Sequence, residues 1–147
     1  MEGAQHNSMA GAALPGGQYR ITAEDNQQLC AALHTVAASD GSAHPIYAYI
    51  ATQSGMGLSV EELLRLCDFD AADGPMLGTS NAQYHAPLMT DETYRIDGSI
   101  LGLTRKHSRK LGTIDILEYR LRMSRTSGEP VLEVTNTWIL PRRSQDA

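Results

Sequence analysis

The sequence is short of cysteine, of long apolar runs and of positive charge, with two cysteines and a formal net charge of −5 in 147 residues. Each shortage excludes something. Cys30 and Cys67 both fall among apolar neighbours in helix-like segments, and no metal-ligand spacing joins them. Buried, reduced thiols are expected, rather than a disulfide framework or a metal centre. A membrane-spanning helix needs about 20 apolar residues in a row, and no run approaches that. The start of the chain has no apolar signal core, so a cytoplasmic protein is expected. The acidic balance argues against general nucleic-acid binding. The basic residues are nevertheless unevenly spread, with Arg105, Lys106, Arg109 and Lys110 in one compact cluster.

What remains is a chain of ordinary apolar and charged content, long enough for one domain with a real core. Its strongest local signal is Ser54 to Cys67. Ser59 can cap a helix, with Glu62 three residues on to complete a capping box. Leu63, Leu64, Leu66 and Cys67 follow as a nearly continuous apolar patch, which predicts a buried central helix. Gly55 and Gly57 precede it. Such a start offers bare backbone N–H groups, where a polarised carbonyl or an anion can bind.

Around that helix the chain reads in order. Residues 1–17 are rich in Gly, Ala, Ser and Gln and predict a disordered leader. Tyr19 to Ile21 predicts a short lead-in strand. Thr22, with Asp25 three residues on, caps a first helix running to about residue 38. Ser39 to Pro45 is a loop, and Ile46 to Ala51 a short helical turn. After the acidic stretch Asp68 to Pro75 the period changes to strand-like. Strands are predicted over 76–84, 93–104, 114–123 and 131–140, the last two joined by a turn at Ser127-Gly128-Glu129-Pro130. The basic cluster and Gly112 form a connection. The domain is therefore placed at 18–141, with a polar tail over 142–147. The layout is α+β, an antiparallel sheet against helices, without an internal repeat.

Four stretches carry a family resemblance. They are Pro45-Ile46-Tyr47, Gly55-Met56-Gly57, Tyr84-His85-Ala86-Pro87-Leu88 with Asp91, and Gly128-Glu129-Pro130-Val131. In this order and spacing the chain resembles the MaoC-like (R)-specific enoyl-CoA hydratases and acyl dehydratases. That resemblance implies a single hot-dog domain, a long antiparallel sheet wrapped around a central helix. It also implies an acyl-CoA or acyl-carrier-protein thioester as ligand, a homodimer or a heterodimer with another hot-dog subunit, and no metal or other cofactor. By the same resemblance, Gly57, or Gly55 in a shifted register, would hold the thioester carbonyl on its backbone N–H, with Met56 between them. Arg105, Lys106, Arg109 and Lys110 would meet the carrier's phosphates.

The match fails where the chemistry should be. The family signature is Gly-Asp-x-Asn-Pro-Ile-His, and its Asp and His activate water at the β-carbon. Aligned on Pro45, the Asp position is Ser42, the Asn position His44 and the His position Tyr47. Hydration needs a base poised near working pH and an acid to return the proton. A serine hydroxyl is no such base, and a tyrosine titrates near about 10. Three functions follow from the resemblance. The chain is a subunit that has lost the pair and works beside a catalytic partner. Alternatively it is an active homodimeric hydratase using Asp40 and His44, with Tyr47. Or it is a non-catalytic acyl-CoA binder or a thioesterase, with Glu61 or Asp68 as the carboxylate.

Overall fold

The computed structural model describes residues 9–143. Five antiparallel strands form one sheet: β1 (Gly17–Arg20), β2 (Met76–Tyr84), β3 (Thr93–Ser108), β4 (Gly112–Arg125) and β5 (Pro130–Pro141), in the order β1-β3-β4-β5-β2. Alternation sets the faces. Leu117, Tyr119, Leu121 and Met123 of β4 point to the covered side and are fully buried, as are Leu132 and Leu140 of β5. On β3, Tyr94, Ile96 and Ile100 share that side, and a bulge between Ile100 and Gly102 shifts the register so that Leu103 is buried too. The expected basic connection is shorter than the sequence suggested. Arg105 to Ser108 continue β3, and only residues 109–111 turn the chain.

The helix laid across the middle of the sheet is α2 (Tyr47–Gly55), which the sequence marked only as a short turn. Its buried face is made of Tyr47, Ala48, Ala51, Thr52 and Gly55. Small residues at this spacing let the helix axis come close to the sheet. At Gly55 the approach is so close that a Cβ would sit 2.2 Å from Ile96 Cδ1. The same small residues disguised the helix in the sequence, because a face of Ala, Thr and Gly carries little apolar surface and gives a weak periodic signal.

The helix from Ser59 is there, with its capping box: Glu62 N–H donates to Ser59 Oγ at 3.1 Å and Ser59 N–H to Glu62 Oε1 at 3.1 Å. As α3 (Val60–Leu66) it is short, however, and packs on a different part of the sheet from α2. Leu63 and Leu64 are buried while Leu66 is 53% exposed. The two helices cover two parts of one sheet face. Tyr47, Ala48 and Ala51 pack with Ile21, Tyr94, Met123 and Leu132; Leu63, Leu64 and Cys67 pack with Ile100, Leu117 and Leu121. Burying a leucine of this kind contributes about 2 kcal/mol.

The first helix, α1 (Ala23–Ala32), is capped by Thr22, whose hydroxyl accepts from Asp25 N–H at 3.0 Å. It ends earlier than predicted because His34 takes a left-handed conformation, φ 57°. Leu33 and Val36 then face solvent.

Residues 9–16, expected to be disordered, and Arg142 of the polar tail are both tied to the domain. Residues 1–8 of the leader and 144–147 of the tail lie outside the described residues. Residues 9–16 run along β3: Leu14 N–H donates to Gly98 O and Ile100 N–H to Ala12 O, and Leu14 is buried in the core. Gly16 N–H then reaches Met56 O at 2.8 Å. At the other end Arg142 is 5% exposed. Its guanidinium donates to Asp115 Oδ2 at 2.8 Å and to the carbonyls of Cys67 and Asp68, and it lies over the Phe69 ring. One side chain thus ties the end of α3 to the sheet.

Candidate functional site

A mostly apolar cavity of about 430 Å³ lies where the loop before α2 meets the end of β2. Ser42, Ala43, His44 and Pro45 form one wall, Tyr84, Ala86, Pro87 and Leu88 another, and Cys30, Val36 and Ala38 the rest. The loop is held from three sides. Asn26, buried on α1, accepts His44 N–H on its Oδ1 at 2.9 Å. Ala43 N–H donates to Leu88 O at 2.8 Å. The Tyr84 hydroxyl donates to Pro45 O at 2.7 Å. These contacts place Ser42 and His44 on the cavity wall.

The candidate acid/base residues do not meet as a pair. Asp40 is exposed and turned onto Ser42, accepting from its backbone N–H at 2.9 Å and its hydroxyl at 2.6 Å. Those two bonds stabilise the charged form and hold the carboxyl below its usual range. An acid held ionised in this way is a weak base at neutral pH. Among the described residues no ion pair or hydrogen bond joins Asp40 to His44. His44 instead accepts Ile46 N–H on Nδ1 at 3.1 Å. Tyr47, at the family's histidine position, is 4% exposed in the core, and burial pushes its hydroxyl above the ordinary value of 10.

The candidate binding glycines lie elsewhere. Gly55 and Met56 are buried at the far end of α2 from Pro45. That helix spans about 13 Å at 1.5 Å per residue. Gly57 has φ +87°, a conformation that favours glycine, and a Cβ there would meet Gly16 O at 2.6 Å and Pro15 Cβ at 2.7 Å. The chain's own residues 15–16 therefore cover this face of the glycine.

The basic cluster divides. Arg105 is committed to Asp115, donating from Nε at 2.9 Å and from a terminal nitrogen at 3.2 Å. Lys106, Arg109 and Lys110 are exposed at the β3–β4 tip, and no ion pair engages them among the described residues. Tyr84 pairs with Leu132 near the cavity, and Pro141 pairs with Ile114 near the tip. The nine steps from Leu132 to Pro141 amount to about 30 Å. Tip and cavity are thus at opposite ends of the sheet.

Glu61 and Asp68 line a separate polar groove with Arg65, Asp70 and Arg142. Glu61 is paired with Arg65 at 3.2 Å. Among the described residues no group of three or more His, Cys, Asp or Glu is placed to hold a metal ion, and no helix is long and apolar enough to cross a membrane. Sequence reasoning missed the contributions of Asn26 and Cys30. Tyr84 to Leu88, expected from the sequence to carry a likeness with Tyr84 and His85 packed on the sheet, supplies Tyr84, Ala86, Pro87 and Leu88 to a cavity wall.

No family model matches the chain, and neither does any curated protein. Solved structures do. A Mycobacterium tuberculosis HadBC (3R)-hydroxyacyl-ACP dehydratase complex is similar over 90% of this chain and 97% of that one, with 15% identity and a TM-score of 0.67. A MaoC-like dehydratase from Rhodospirillum rubrum is similar over 91% and 93%, with 14% identity and a TM-score of 0.60. A hypothetical thioesterase from Streptococcus pneumoniae with coenzyme A is similar over 92% and 86%, with 13% identity and a TM-score of 0.55. With the order β1-β3-β4-β5-β2 and α2 across the sheet, the chain has the hot-dog fold of the MaoC-like dehydratases and thioesterases.

Proposed function

We propose that this protein binds acyl thioesters as the non-catalytic subunit of a hot-dog hydratase or dehydratase, paired with a chain that carries the acid/base residues. The observation that carries the reading is the state of Asp40. The cavity beside it is formed and apolar, yet the carboxylate is spent on Ser42 and the family's histidine position is a buried tyrosine. The same observation weighs against the active homodimer that would use Asp40 and His44. The thioesterase reading would place its carboxylate, Glu61 or Asp68, in a groove away from the cavity.

Pairing follows from β2. All nine of its residues are exposed, and its outer edge is unpaired within the described chain. Such an edge favours addition of another strand. Met76, Leu77 and Tyr84 offer apolar area for the contact. Antiparallel pairing of β2 with its counterpart exchanges the ends of the two sheets. Lys106, Arg109 and Lys110 of one chain would then lie toward the same end of the joined sheet as the other's cavity, the side from which they would meet the phosphates of its thioester carrier. The roughly 30 Å between tip and cavity rules out that service within one chain.

The test is an assay of the purified chain with crotonyl-CoA and hexanoyl-CoA. Calorimetric binding without loss of the enoyl absorbance and without release of free thiol is expected, and sedimentation should give a dimer or a mixed dimer with a catalytic hot-dog chain. Hydration at enzymatic rates by the chain alone sinks the proposal.

A further inference from the structure

We infer that His44 is the ligand-binding donor of the cavity, with its tautomer set by the backbone so that Nε2–H grips the carbonyl oxygen of an acyl group; the inference rests on the acyl-thioester reading above. The tautomer follows from one contact. Ile46 N–H donates to His44 Nδ1 at 3.1 Å, so Nδ1 is the acceptor and the neutral ring carries its proton on Nε2. The contact is local and built in. Pro45 lies between the two residues, and Asn26 fixes the His44 backbone from the other side.

The other polar side chains of the lining have their donors engaged elsewhere. The Ser42 hydroxyl donates to Asp40, the Tyr84 hydroxyl to Pro45 O, and the Cys30 thiol faces Asn26 Oδ1 at 3.9 Å. Among the described residues His44 Nε2 has no hydrogen-bond partner. An apolar cavity with one unspent side-chain N–H suits a ligand with an apolar body and one acceptor, which an acyl thioester is. A histidine held as a donor is also the opposite of a general base. The residue that replaces the family's asparagine thus holds the carbonyl and leaves proton transfer to others.

Two probes separate the roles: the hexanoyl thioester of N-acetylcysteamine and the matching hexyl thioether, which lacks the carbonyl oxygen. The full-length protein should bind the thioester about fivefold or more tightly than the thioether, the worth of one hydrogen bond. His44→Leu should erase that preference, and His44→Gln, which keeps an N–H near the Nε2 position, should retain most of it. In the wild-type protein, ¹⁵N spectra of the imidazole should show Nε2 protonated and Nδ1 bare, whatever the variants' stability. Protonation on Nδ1, equal binding of both probes, or equal loss in the Leu and Gln variants overturns the role of His44 while leaving the acyl reading intact. Failure of both probes to bind the wild-type chain removes the acyl reading, and this inference with it.

Discussion

The Tyr84 hydroxyl donates to the Pro45 carbonyl at 2.7 Å, joining the last residue of the edge strand to the loop that starts α2. This bond and the one from Ala43 N–H to Leu88 O latch two cavity walls that are far apart in sequence. Tyr84→Phe keeps the ring and removes the first of these bonds. The expected cost is about 1 kcal/mol in urea unfolding. A larger effect is expected on ligand dissociation, because the loop bearing His44 gains freedom. Stopped-flow release of a fluorescent acyl-CoA should quicken in the variant. An unchanged release rate would mean that the Asn26 and Leu88 contacts hold the loop without help.

Gly55 and Gly57 lie two residues apart but should fail differently on substitution. At Gly55 the obstacle is the tip of the Ile96 side chain, 2.2 Å from a built Cβ, with Cγ1 and Cβ of Ile96 behind it at 3.3 and 3.4 Å. Gly55→Ala should overpack the α2–sheet contact, for about 1–3 kcal/mol. Ile96→Val, which trims the obstructing methyl, should restore part of the loss. At Gly57 the obstacles are Gly16 O and N and the Pro15 ring, none of them the far end of a flexible side chain, and φ is +87°. No side-chain trimming relieves that, so Gly57→Ala should be rescued only by loosening residues 15–16. A thermal-melt series of the single and double variants distinguishes the two cases.

The sheet was legible because its strands alternate: Leu117, Tyr119, Leu121 and Met123 state the buried face outright. The capping box at Ser59 was legible for the same kind of reason, a local rule locally satisfied. The central helix was not. Ala48, Ala51 and Gly55 are buried because they are small, and smallness does not register as hydrophobicity. Nor was the ordering of residues 9–16 visible, since Leu14 is the segment's one large buried residue and the cluster it joins, with Met56 and Leu64, is drawn from distant segments. For the site, the residue types alone showed where the resemblance breaks, at Ser42, His44 and Tyr47. The direction of the Asp40 side chain toward Ser42, and not His44, depends on a turn geometry that residue types alone do not specify.

Cys67 offers a direct check on the packing of α3. Burial pushes its thiol up to about 11, against a partial lowering by the nearby Arg142 charge. Relative to an ordinary thiol this means about a hundredfold less thiolate at pH 8. Iodoacetamide should leave Cys67 unmodified in the folded protein over a time in which the urea-unfolded chain is fully alkylated, as read by mass spectrometry. Rapid labelling of the native chain would show that the end of α3 opens readily.

Asp115 should govern acid stability. It is fully buried on β4 and receives Arg105 at 2.9 Å and Arg142 at 2.7 Å. Burial alone would raise its carboxyl, but the hydrogen bonds from the two arginines outweigh that, and the net direction is downward. A folded-state value below the unfolded one contributes stability that is present above the unfolded carboxylate range, about 3.9, and is lost as pH falls through the folded value. Asp115→Asn leaves Arg142 buried without its counter-charge, which should cost about 3 kcal/mol at pH 7. Arg105→Gln should cost less, since Arg105 is partly exposed and Arg142 keeps its partner. Urea unfolding at a series of pH values checks the sign. The gap between wild type and Asp115→Asn should be constant through neutral pH and close below about pH 4, as the wild-type carboxyl takes up its proton. A gap that instead widened in acid would mean that the arginines, and not the carboxylate, set the stability of this cluster.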